Sequence, residues 1–158
     1  MADWNTIIQG NISLLWIQEC MKVENQEKTV KELINEYRSK NENVGLLNIG
    51  TLMMASYLFF VCPREQDKTS IDFSQIDLPV FTQISGTTKN VNVFVRRLRN
   101  SIAHANFEFC EENIILLDNN ANGSDEWKVS LVVADFGNFL NDFMFITKNQ
   151  YYRSKKRK

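Results

Sequence analysis

Histidine is nearly absent from this chain: His104 is the only one among 158 residues. A site built from several imidazoles, as in many zinc or haem centres, is therefore excluded. Cysteine is also scarce. Cys20, Cys62 and Cys110 are odd in number, far apart and outside any Cys-x-x-Cys arrangement, so neither a disulfide framework nor a thiolate metal site is expected. That pattern suits a reducing cytoplasm, and no metal or cofactor is expected. Only Pro63 and Pro79 interrupt the backbone, which leaves room for long helices. No basic stretch followed by an apolar one occupies the start, so a secretory leader is not expected.

Hydrophobic residues at 44% and charged residues at 23% match a globular protein and argue against disorder or a fibrous repeat. The length is that of one domain able to bury its own core. We read residues 1–152 as that domain and 153–158 as a basic tail. The net charge of −1 hides an asymmetry. Five of the last six residues, Arg153 and Lys155 to Lys158, are basic, and without them 13 basic residues face 19 acidic ones. The tail is either an electrostatic arm for nucleic acid or anionic lipid, or a solvated end.

Residues 44–62 are uncharged and about as long as a short membrane span. Gly45, Asn48, Gly50, Thr51 and Ser56 lie within that segment, so the expectation is a central helix of a helical bundle with no membrane crossing. Ile7, Ile8, Ile12, Leu15 and Trp16 predict a first helix. Val30, Leu33, Ile34 and Tyr37 predict a second over 26–38. The third should run over 44–61 and stop at Pro63. Residues 64–86 read as a long connection with a short helix near 80–84.

A fourth helix is marked by Val91, Phe94, Val95, Leu98, Ile102 and Ala105. Apolar runs at 106–117 and 127–133, separated by the turn-rich segment 118–125, predict a small β-hairpin. A closing helix over 134–149 carries Phe136, Phe139, Leu140, Phe143 and Ile146 on one side. The fold class is mainly α, with the hairpin near the C-terminal end.

The fourth helix holds the chemistry, in the string Arg96-Arg97-Leu98-Arg99-Asn100-Ser101-Ile102-Ala103-His104. With Leu98 at the centre of the apolar face, Arg97, His104 and Asn100 fall about 100°, 120° and 160° round one flank, and Arg96 points outward. Arg99 is about 140° from His104 and meets it only with help from a helix distortion, side-chain reach or a second copy of the helix. Imidazole can move a proton near neutral pH, guanidinium can bind phosphate bidentately, and an amide can hold a phosphate or hydroxyl oxygen. Those groups suit metal-free RNA cleavage. They are equally compatible with a solvated helix face.

The string RRLRNSIAHANF resembles the signature of the HEPN superfamily, in which an Arg, usually followed by a polar residue, precedes a His by four to six intervening positions. Arg99, Asn100 and His104 match it, with four residues between the Arg and the His. The order of helices, the segment Phe59-Phe60-Val61-Cys62-Pro63, the hairpin and the closing helix resemble a bacterial and plasmid-borne branch. The resemblance implies a HEPN-like helical bundle and a homodimer that joins two motif helices. It further implies a metal-independent endoribonuclease leaving 2′,3′-cyclic phosphate ends, of toxin, antiphage or RNA-processing type. Catalysis would fall to Arg99, Asn100 and His104, with RNA contacts from Arg96 and Arg97 and a cognate antitoxin or regulatory protein as a further partner. Asn106 stands where some toxin branches carry a tyrosine that is modified, so adenylylation there is not implied. The alternative is a non-catalytic HEPN module binding nucleotide, RNA or a partner protein.

Overall fold

A computed structural model describes residues 4–41, 48–62, 71–119 and 125–155. Contacts group these into two compact units, one ending at Ala55 and one beginning at Ser56.

The first unit is helical. Helix α1 spans Trp4–Met21, a short 3-10 turn spans Val23–Asn25, α2 spans Val30–Lys40, and α3 spans Ile49–Ser56 at the boundary. Helix α2 starts four residues later than its apolar periodicity suggested. The cause is a capping box: the Glu32 amide donates to Thr29 Oγ1 at 3.3 Å, and the Thr29 amide donates to Glu32 Oε2 at 2.8 Å. The Thr29 hydroxyl also donates to Glu32 Oε2 at 2.8 Å, and the bonds from the Thr29 amide and hydroxyl hold the Glu32 carboxyl below its ordinary pKa. Helices α1 and α3 approach closely at Gly10, where a Cβ would lie 2.7 Å from Met54 Sδ and 3.4 Å from the Gly50 backbone. Above that contact Thr51 Oγ1 and Asn48 Nδ2 reach Ser13 Oγ at 2.8 and 3.0 Å. Trp16 and Tyr37 pack edge to face, with ring centres 6.5 Å apart.

The expected third helix is only partly as anticipated. Its residues 44–47 and the expected stop at Pro63 lie outside the described residues. After α3 the chain makes a single π-helical turn, Tyr57–Val61, rather than regular helix. No helix among the described residues is long and apolar enough to cross a membrane.

The second unit combines helices with a sheet larger than the expected hairpin. Strands β1 (Thr82–Ser85), β2 (Phe107–Cys110), β3 (Asn113–Asn119) and β4 (Glu126–Val132) form an antiparallel sheet of order β1-β4-β3-β2. Three readings are corrected here. The segment at 80–84, expected to be helical, is extended, and β1 is the edge strand paired with β4 from Thr82↔Ser130. A four-residue strand carries too few residues to show a period, so pairing with β4 decides its state. The run 106–117 is not one strand, because it folds back at Glu111–Glu112, with Glu111 at φ 55°. The loop expected at 118–125 begins later, since Asp118 and Asn119 belong to β3; residues 120–124 lie outside the described residues.

Helix α4 spans Val91–Ala103 and α5 spans Val133–Lys155. The closing helix thus extends beyond Asn149 into the basic tail, of which 156–158 lie outside the described residues. Asn90 caps α4, its Oδ1 accepting from the Val93 amide at 3.0 Å. Ile114, Leu116, Trp127, Val129 and Leu131 alternate along β3 and β4 and are buried, the period expected of a sheet with one face covered. Phe94 of α4 lies edge-on to both Trp127 and Phe139 at the centre of this core. The Trp127 indole donates to Thr88 Oγ1 at 2.8 Å, which satisfies its buried N–H. Gly86, at φ +72°, has no substitute: a Cβ would lie 2.5 Å from the Glu126 carbonyl oxygen.

Candidate functional site

Helix α4 presents the motif on two different sides. Asn92, Val95, Arg96 and Arg99, at successive spacings of three, one and three residues, share one face and line a groove. Arg96 is exposed and Arg99 half-buried. Their neighbours across the groove belong to the π turn, to the Ile71–Phe73 segment and to the second half of α5.

The opposite flank is packed on β3. Arg97 was expected on an open polar surface and is instead 7% exposed. Its Nη1 donates to Asp118 Oδ2 at 3.0 Å, and its Nη2 pairs with Asp125. Burial works against the charged guanidinium, but the hydrogen bonds and charges of Asp125 and Asp118 outweigh it and raise the Arg97 pKa above its ordinary value. Asn100 Nδ2 also donates to Asp118 Oδ2, at 3.3 Å. Ser101 Oγ lies 2.8 Å from the Leu117 carbonyl. The physical reason for the correction is the sheet: β3 covers a flank that helix periodicity alone leaves to solvent, and Asp118 supplies the countercharge there.

His104 stands at the C-cap of α4 and is exposed. The helix ends around it in a defined way. The Ala105 amide donates to the Ile102 carbonyl at 3.1 Å and the Asn106 amide to the Ser101 carbonyl at 2.7 Å, with Ala105 left-handed at φ 51°. This is the paired C-terminal bonding usually completed by glycine. The Asn106 carbonyl then accepts from the Leu117 amide at 3.0 Å, which ties the end of the helix to β3. The backbone at the histidine is thus fixed on both sides.

Of the five residues singled out from sequence, the structure brings Arg97 and Asn100 together at Asp118 and places Arg96 and Arg99 on the groove. His104 is at the helix end. Sequence reasoning did not find Asp118 or Asp125. Their only signal was two carboxylates bracketing a turn-rich segment, which also fits an ordinary solvated loop. Among the described residues no three or more His, Cys, Asp or Glu side chains gather as a metal site would require.

Comparison with known proteins returns one result. No curated protein and no solved structure matches the chain. A family profile described as HEPN pEK499 p136 matches residues 1–154. That span includes all but the last four residues of the two compact units and the whole of the Arg99-Asn100-His104 helix, and by it the chain belongs to this HEPN family.

Proposed function

We propose that the protein is a metal-independent endoribonuclease, cytoplasmic and homodimeric, whose active site forms where two α4 helices meet. Residues 1–152 act as one HEPN domain, a helical bundle carrying the sheet, with 153–158 as its basic tail. The observation that carries this reading is a complete Arg99-Asn100-His104 motif, with an exposed His104 at the end of α4, in a chain matched by a HEPN profile over 1–154. Helix phase places Arg99 and His104 about 140° apart, and a second copy of the helix supplies each with the missing counterpart.

In the reaction the RNA 2′-oxygen attacks phosphorus, the bond to the 5′-oxygen breaks, and a 2′,3′-cyclic phosphate remains. His104 takes the 2′-hydroxyl proton or returns one to the leaving 5′-oxygen. Arg99 stabilises charge developing on the phosphorane. Asn100, oriented through Asp118, positions the phosphate or hydroxyl, and Arg96 contacts the RNA backbone. Arg97 serves as a positioning residue rather than a direct RNA contact, because its guanidinium is buried against two carboxylates. Such an activity suits a toxin, antiphage or RNA-processing role governed by a cognate antitoxin or regulatory protein.

The test is incubation of the purified protein with tRNA and varied single-stranded RNA, with and without EDTA. Cyclic phosphate ends that survive EDTA and vanish in His104→Ala are expected. Intact RNA under all conditions overturns the proposal, and RNA protected without being cut favours a non-catalytic binding module.

A further inference from the structure

Pairing between β2 and β3 runs from Cys110↔Asn113 to Phe107↔Leu116. One step further Asn106 faces Leu117, and the Leu117 amide donates to the Asn106 carbonyl at 3.0 Å. In a hydrogen-bonded antiparallel pair the Asn106 amide would return the bond to the Leu117 carbonyl. It turns back to α4 instead and donates to the Ser101 carbonyl at 2.7 Å. The Leu117 carbonyl accepts from the Ser101 hydroxyl at 2.8 Å. Ser101 thus supplies the donor that the strand has yielded to the helix.

These three bonds close a ring through Ser101, Leu117 and Asn106, and residues 102–105, His104 among them, are the turn it encloses. Ser101 is wholly buried. Its hydroxyl also lies 3.1 Å from the Arg97 carbonyl, the usual rival for a serine inside a helix. One proton serves one acceptor at a time, and in the helix ladder the Arg97 carbonyl already has the Ser101 amide. The shorter distance favours Leu117.

The turn needs such a hold. His104 is exposed at the C-cap, where helices fray, and Ala105 keeps a left-handed φ of 51° that alanine adopts only at a cost. A general acid or base works only within hydrogen-bond reach of the proton it moves. Where the turn sits therefore decides where the imidazole can work.

We propose that Ser101 is a positioning residue for His104: its hydroxyl, bonded to the Leu117 carbonyl, holds the turn that carries the imidazole against β3. The consequence for catalysis rests on the reading of His104 as acid or base, whereas the hold on the turn does not.

The test compares Ser101→Ala with Ile114→Val in the full chain. Alanine fits the site and is the better helix former, so the first variant keeps the helix and loses only the hydroxyl. The second trims a fully buried β3 side chain and lowers stability without touching the ring of bonds. Amide hydrogen exchange is followed by NMR, with Phe94 and Leu98 of α4 as the reference amides. In Ser101→Ala the Ala105, Asn106 and Leu117 amides should exchange about tenfold faster relative to that reference, and in Ile114→Val all should shift together. Unchanged relative exchange in Ser101→Ala overturns the proposal, because the hydroxyl then serves the Arg97 carbonyl alone. So does a uniform shift like that of Ile114→Val, which marks a serine that only adds stability.

On RNA, Ser101→Ala should lower kcat about 30-fold with KM within about twofold, and Ile114→Val should change neither. Faster exchange with full cleavage overturns the positioning role and leaves Ser101 a tether of the helix end. RNA left intact by the unaltered protein removes the ribonuclease reading, while exchange still decides the hold on the His104 turn.

Discussion

Arg96 and Arg97 are adjacent in sequence and chemically identical, yet they lie in opposite environments. Arg96 is exposed on the rim of a groove that, among the described residues, is lined by no carboxylate. Arg97 is buried and held between Asp118 and Asp125. A rotation of about 100° per residue separates them, and what stands opposite decides the role of each. Where β3 covers the helix, a guanidinium becomes an internal tie that also orients Asn100 through Asp118. Where the described neighbours are aromatic rings and other cations, the Arg96 guanidinium stays exposed. The two flanks of α4 thus divide the motif into a half packed on β3 and a half that lines the groove, with His104 at the end of the helix.

The strongest test of that division is activity. Arg99→Ala and His104→Ala should each lower RNA cleavage about 100-fold or more, and for the exposed His104 the thermal midpoint should stay near that of the parent protein. A variant that loses cleavage only by unfolding would erase the distinction between the flanks. Next in size is Asp118→Ala, which leaves Arg97 with Asp125 alone and should destabilise the fold by about 3 kcal/mol in denaturant unfolding. If Asp118→Ala were as harmless as a surface change, the buried flank would have no structural role. Ala105→Gly relieves a left-handed alanine and should stabilise by about 1 kcal/mol; a loss of stability instead would show that the helix end is not held by this backbone turn. The smallest effect is expected for Arg96→Ala. Its unfolding free energy should change by no more than about 0.5 kcal/mol, with weakened RNA binding and a shallower salt dependence as its signature.

Much of the second unit was legible in the chain. Helix α4 announced itself through Val91, Phe94, Leu98 and Ile102, all of which are buried, because a 3.6-residue period is a local property of the backbone. The strands around Ile114–Leu116 and Trp127–Leu131 were visible for the same reason, as apolar runs on either side of a turn-rich segment. Strand β1 was not, since Thr82–Ser85 has no period of its own and is extended because β4 offers it an edge. Arg97 was misplaced because helix phase tells which residues share a side, not what lies across from that side. The groove was invisible in sequence, as its lining comes from four separate stretches of chain between Leu58 and Tyr152.

By itself the sequence determined the helix that bears the motif, the residue types available for chemistry, and family membership across residues 1–154. Each of these is written in neighbouring side chains and their spacing. Only the tertiary structure decided that Asp118 and Asp125 take Arg97 out of the solvent, that Asn100 is held by the same carboxylate, and that Arg96 and Arg99 face an aromatic cleft. Charge pairing and burial depend on distances between residues remote in the chain, and these exist only once the helix and the sheet have packed together.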